Sequence, residues 1–156
     1  MAEDLKDKVS IFISYAHADE ELKKELDRHL MALKRSGKIE TWNDRELIAG
    51  QEWDEVIKEE LNKSDVILLL VSVDFIASQY IWDKELATAM KRHEDGTAHV
   101  VPIILKHCLW QEMPFAKLQA LPRNATPVTD YGVHDDAFTE VAVSLNKLVN
   151  SMIKTA

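Results

Sequence analysis

Short apolar runs alternate with stretches of helical periodicity along this chain, the pattern of a parallel sheet covered on both faces. Val9 to Tyr15 is the first apolar run and predicts a strand. Asp19 to Arg35 follows with Leu22, Leu26, Leu30 and Leu33 on one face, a helix that Asp19 can cap and Ser36-Gly37 can end. Lys38 to Trp42 predicts a short strand of low apolar content, placed at or near a sheet edge. Gly50 to Lys63 predicts a helix built on Trp53, Val56, Ile57 and Leu61, and Val66 to Ser72 the most buried strand. A helix is expected from Ser78 to His93, stopped by Asp95-Gly96, and His99 to Leu105 returns as a fourth strand that starts or bends at Pro102. Periodicity fails from Lys106 to Arg123. Ala125 to Val128 then reads as a short fifth strand ending at Pro127, and Asp135 to Ile153 as a final amphipathic helix capped by Asp135 or Asp136. Strands and helices in this order imply an α/β fold, a flavodoxin-like open sheet of about five parallel strands flanked by helices.

The 156 residues suit one domain with a real core. The single cysteine, Cys108, excludes a disulfide framework or a Cys-based metal site within one chain. The opening Met-Ala-Glu-Asp-Leu-Lys-Asp-Lys is charged, with no secretory pattern, and no window is apolar enough to cross a bilayer, so the cytoplasm is the expected compartment, with no membrane partner. A formal charge of −8 argues against nucleic acid as a partner, because such binding needs a clustered positive face.

Candidate chemistry centres on Glu85. In the expected helix, Ser78, Trp82 and Glu85 fall at i, i+4 and i+7, on one stripe close to the carboxyl end of a parallel strand, where α/β sheets receive ligands. A Glu in the first turns of a helix is also favoured by the helix dipole alone, and that reading stays open.

Three segments, taken together, carry a resemblance. They are Phe12-Ile13-Ser14-Tyr15, then Trp42-Asn43-Asp44 with a loop closed by Gly50, then Ser78 followed by Glu85-Leu86. In this order and spacing they resemble the Toll/interleukin-1 receptor (TIR) domain family in its bacterial form. The resemblance runs from about Lys8 to Met152, so residues 8–154 are expected to form the TIR domain and 1–7 a short charged extension. It implies cleavage of NAD by a glutamate at the position of Glu85. The attacked ribose carbon becomes oxocarbenium-like, a carboxylate beside it stabilises that charge, and nicotinamide leaves as a neutral molecule without a general acid. NAD is then substrate, and neither a cofactor nor a metal is expected. Trp82 would wall the site and Ser78 would lie near the sugar. The chain departs from the family where members often show Trp-Cys or Tyr-Cys before the glutamate, since it has Tyr80-Ile81-Trp82, so the aromatic neighbour can point differently.

The loop Ser14 to Asp19 lacks Gly-x-Gly-x-x-Gly, which argues against a Rossmann phosphate cradle. By analogy with NAD-cleaving relatives, Ser14, Tyr15 and His17 are candidates to touch the nucleotide, although an ordinary exposed loop explains Tyr15 equally well and His17 better. Asp44 to Gly50 matches the family's BB loop, and its apolar tip, Leu47, Ile48 and Ala49 before Gly50, predicts an interface with other TIR domains in a homo-oligomer or filament. Trp42 can line the cleft, whereas core packing is the stronger reading for Trp53. His107-Cys108 lacks a third ligand at suitable spacing, and Cys108 reads as a small buried hydrophobe. Two function classes follow: an NAD+ glycohydrolase or cyclase switched on by assembly, in bacterial defence or signalling, and a non-catalytic TIR–TIR interaction module. A phosphoacceptor receiver is disfavoured because Ser14-Tyr15-Ala16 stand where its paired acids belong. An NADase needs restraint, so a sensor domain outside this chain, a partner or a ligand is expected to control it.

Overall fold

The apolar hexapeptide Val66–Val71 is buried at every position and forms β3 at the centre of the sheet. The computed structural model describes residues 5–43 and 53–153. Within them β1 (Val9–Ser14), β2 (Ile39–Trp42), β3 and β4 (His99–Ile104) form a parallel sheet of order β2-β1-β3-β4. Side chains alternate across it. Ile11, Ile13, Leu68 and Leu70 meet α1 (Glu20–Arg35) and α5 (His134–Met152), through Leu22, Leu26, Leu30, Phe138, Val141 and Leu145. Phe12, Ile67, Leu69 and Val71 meet α2 (Trp53–Lys63), α3 (Val73–Ala77) and α4 (Ala87–Glu94) on the other face, through Ile57, Leu61, Phe75, Ala89 and Met90. Each fully buried Leu, Ile or Phe contributes about 1.5–3 kcal/mol, so two continuous apolar layers hold the sheet between the helices.

Three expectations need correction. The fifth strand does not form: Arg123–Ala125 and Val128–Asp130 are 3-10 turns, and the positive φ of Asn124 and Ala125, 58° and 54°, turns the chain away from a ladder. Among the described residues, a lone bridge between Ile103 and Leu121 stands on that side of β4. This explains Pro102 within β4. Its carbonyl accepts from Leu121 N–H at 2.8 Å on the outer edge, and the ring nitrogen lies on the same side, so the pairing with β3 loses no donor.

The expected helix from Ser78 to His93 is the second correction. α3 starts directly after β3, where Ser72 Oγ accepts from Phe75 N–H at 3.1 Å, and it stops because Ser78 is extended. Ser78 Oγ then accepts from Ile81 N–H at 3.2 Å, an amide partner that competes with continuous helix. A π-helical turn, Ile81–Leu86, follows and runs into α4.

Capping is the third. Asp19 precedes α1 without bonding its amides, and α5 begins at His134 with no side-chain cap, leaving Asp135 and Asp136 in its first turn, where the helix dipole favours acids. The stops at Ser36-Gly37 and Asp95-Gly96 do form, with φ of 77° and 74° at the two glycines. The expected start of α2 at Gly50 lies outside the described residues, which begin again at Trp53. No described helix is long and apolar enough to cross a membrane.

Candidate functional site

Where β1 ends, the sheet hands the chain to Ser14, Tyr15 and Ala16 and then to the 3-10 turn His17–Asp19. Across from this rim stands the π-helical turn. Between them is a cleft of about 180 Å3, lined among the described residues by Tyr15, Ala16, His17, Trp53, Ser78, Tyr80, Ile81 and Glu85. The place fits open α/β sheets, which receive ligands beyond the carboxyl ends of their strands.

Glu85 supplies a carboxylate to this cleft and is only 5% exposed. Ser14 Oγ donates to its Oε1 at 2.6 Å, a bond joining residues 71 positions apart. A buried carboxylate is costly unless it is hydrogen-bonded, so Ser14 both stabilises Glu85 and fixes where the carboxylate points.

The π turn decides what accompanies it. Its i to i+5 pattern sets Tyr80 one turn before Glu85, and both border the cleft. Trp82 instead turns outward, 45% exposed and absent from the cleft lining, so the expected stripe of Ser78, Trp82 and Glu85 keeps two of its three members. Tyr80 carries the aromatic surface. Its ring lies flat on Trp53 with centroids 4.7 Å apart and planes 6° from parallel, and its hydroxyl donates to Asp54 Oδ1 at 3.3 Å. Trp53, 47% exposed, is therefore no core residue. Trp42 is half-buried at the core's edge, where it packs on Phe12 with centroids 5.4 Å apart and borders a groove at the β2 edge with Ser10, Thr41 and Lys63.

Tyr15 borders the cleft with a largely covered side chain: its hydroxyl donates to Glu20 at 3.1 Å and Lys23 Nζ lies 5.5 Å from its ring centre. His17 is exposed on the rim. Leu47, Ile48, Ala49 and Gly50 lie outside the described residues.

The sequence pattern does not mark Tyr80 as a cleft residue, and the core expected for Trp53 is not where it lies. The available signal was a pair of aromatic residues flanking the glutamate and opening α2, but only the fold shows that they stack.

Cys108 remains a poor nucleophile. Burial pushes its thiol up, a hydrogen bond with the Trp110 backbone opposes this in part, and the Asp19 carboxylate adds a lesser upward push. His107 Nε2 pairs with Asp130 Oδ1 at 2.7 Å. Among the described residues no group of three His, Cys, Asp or Glu side chains is arranged to hold a metal.

Comparison with known proteins identifies the fold. Residues 11–138 match the family described as TIR domain. The chain is 47% identical over 147 residues to y4lF, an uncharacterised protein of Sinorhizobium fredii (strain NBRC 101917 / NGR234), covering 94% of this chain and 46% of that protein. Among solved structures it is similar to the crystal structure of the RPS4 and RRS1 TIR domain heterodimer, with a TM-score of 0.54 over 90% of this chain and 96% of that one, at 11% identity. That likeness is one of fold. The matched span takes in β1 from Ile11 onward, the Glu85 cleft and the start of α5, and the chain belongs to the TIR domain family.

Proposed function

We propose that this domain cleaves the nicotinamide–ribose bond of NAD+, with Glu85 as the catalytic carboxylate. The observation that carries the reading is a buried glutamate bordering a cleft at the carboxyl end of the sheet, its carboxylate oriented by Ser14 Oγ at 2.6 Å. As the bond breaks, its electron pair passes to the ring nitrogen and nicotinamide leaves neutral. Positive charge grows over the anomeric carbon and ring oxygen of the ribose, and the fixed Glu85 carboxylate stabilises it. Water then adds with loss of a proton to give ADP-ribose, or an adenine nitrogen closes a cyclic isomer. The Tyr80 and Trp53 rings supply a flat apolar surface for a heteroaromatic group.

The cleft's 180 Å3 is small beside the roughly 300–1,000 Å3 of ligand sites in general. We therefore propose that the working site is completed in an assembly, with Leu47, Ile48 and Ala49 against a neighbouring copy and with activity switched on by that contact, in cytoplasmic defence or signalling. Ile48→Asp should suppress assembly and turnover together while leaving the thermal midpoint unchanged.

A second reading, a non-catalytic module that docks other TIR domains, draws on the RPS4–RRS1 structure, which is a pair of such domains. Glu85→Gln separates the two. It keeps the shape of the side chain, and under the enzymatic reading nicotinamide release falls by roughly two to four orders of magnitude with the fold retained. Release at the wild-type rate overturns the role of Glu85. Self-association without any release by the wild type favours the docking module.

A further inference from the structure

We propose that Asp19 is a positioning residue: with Ser72 and Lys106 it latches the two walls of the cleft to each other. The proposal rests on the NAD-cleaving reading of that cleft. Asp19 looks like a helix cap in the sequence, yet it makes no bond to the amides of α1. Its side chain is wholly covered and turned toward other elements. Oδ2 accepts from Ser72 Oγ, while Lys106 Nζ lies 2.8 Å from Oδ1, in ion-pair contact but off hydrogen-bond alignment. One carboxylate thus joins the segments leaving β1, β3 and β4.

Asp19 and Ser72 each lead into a cleft wall, and Lys106 supplies the counter-charge. Asp19 N–H donates to Ala16 O at 2.9 Å, which closes the turn that presents Tyr15, Ala16 and His17. Ser72 is fully buried, and the same Oγ that donates to Asp19 accepts from Phe75 N–H, starting the helical wall that leads to Ser78, Tyr80 and Glu85. Lys106 is 40% exposed at its side chain and brings the cation that balances the carboxylate. Breaking such a pair on one side is costly because the remaining buried charge has lost its counterion. The carboxylate therefore holds the width between the walls, whereas the Ser14 to Glu85 bond holds the catalytic group itself.

The test uses Asp19→Asn and Lys106→Gln, with Lys106→Arg as the conservative control. On folded protein, the first two should raise the KM for NAD about tenfold with kcat changed less than about twofold, and Lys106→Arg should restore the wild-type KM. A residue that serves only folding would lower the active fraction and leave KM alone, and that result overturns the proposal. Hydrogen exchange supplies a readout free of NAD. In both variants the amides of residues 15–19 and 73–80 should lose protection together, and loss confined to one segment overturns the latch. If the wild type releases no nicotinamide while both segments still open together, the NAD reading fails and the latch stands.

Discussion

The layer of α1 and α5 meets the sheet through unbroken helical stripes, Leu22, Leu26 and Leu30 on one helix and Phe138, Val141 and Leu145 on the other. The layer of α2, α3 and α4 meets the same sheet through a five-residue helix, an extended serine and a π turn. Both bury apolar side chains completely, so burial does not distinguish them. Regularity does. A continuous helix satisfies its own backbone and leaves its side chains to pack, whereas the break at Ser78 and the wider turn after it aim Tyr80 and Glu85 at an opening. Both layers hold the sheet, and one of them gives up helical regularity to open a cleft.

The contrast can be broken most severely in the regular layer. Phe138→Ala empties a position with no exposure and should cost about 3–5 kcal/mol, read as a lower denaturation midpoint, while the KM of the protein that remains folded is unchanged. A changed KM would mean that the two layers are not separable. On the irregular side, Ser14→Ala removes the hydroxyl that orients Glu85 and should lower kcat about 10- to 100-fold, together with a lower thermal midpoint, because the buried carboxylate loses a hydrogen-bond partner. Tyr80→Ala removes the stacked ring and should raise KM about three- to tenfold, and Tyr80→Phe should recover most of that. Trp82→Ala, by contrast, should leave KM alone.

The smallest effect belongs to Cys108. Because its thiol is raised, less thiolate is present at a given pH than for a free cysteine, so alkylation should be slow near neutrality and accelerate only at higher pH than a model thiol. Cys108→Ser should change turnover by less than about twofold. Rapid labelling at neutral pH that abolishes turnover would place chemistry outside the Glu85 cleft.

What the sequence made legible follows the same division. The leucine spacing in α1 and the all-apolar run of β3 state their structure directly, since each is buried along a single regular period. The place of Glu85 was legible too, as a carboxylate on one helical stripe close to a strand's end. The π turn was not. Ser78, Ile81, Glu85 and Leu86 fit a 3.6-residue period as well as the wider one, so the pattern assigned Trp82 the place that Tyr80 takes. The Trp53–Tyr80 stack joins residues 27 positions apart, and no local pattern distinguishes it from core packing. Pro102 pointed to a strand start because a fifth strand was expected beside it. With that edge open, the proline costs the ladder nothing. Asp19 was misread for a related reason, because its place before a helix conceals a side chain directed to β3 and β4.

The central claim is that this cleft breaks the nicotinamide–ribose bond, and it is tested most directly by following nicotinamide release from NAD across a wide range of protein concentration. Wild-type protein should release nicotinamide together with ADP-ribose or a cyclic isomer, with specific activity rising steeply as the chains assemble. Absence of nicotinamide at every concentration, from protein shown to be folded and assembled, would contradict the account.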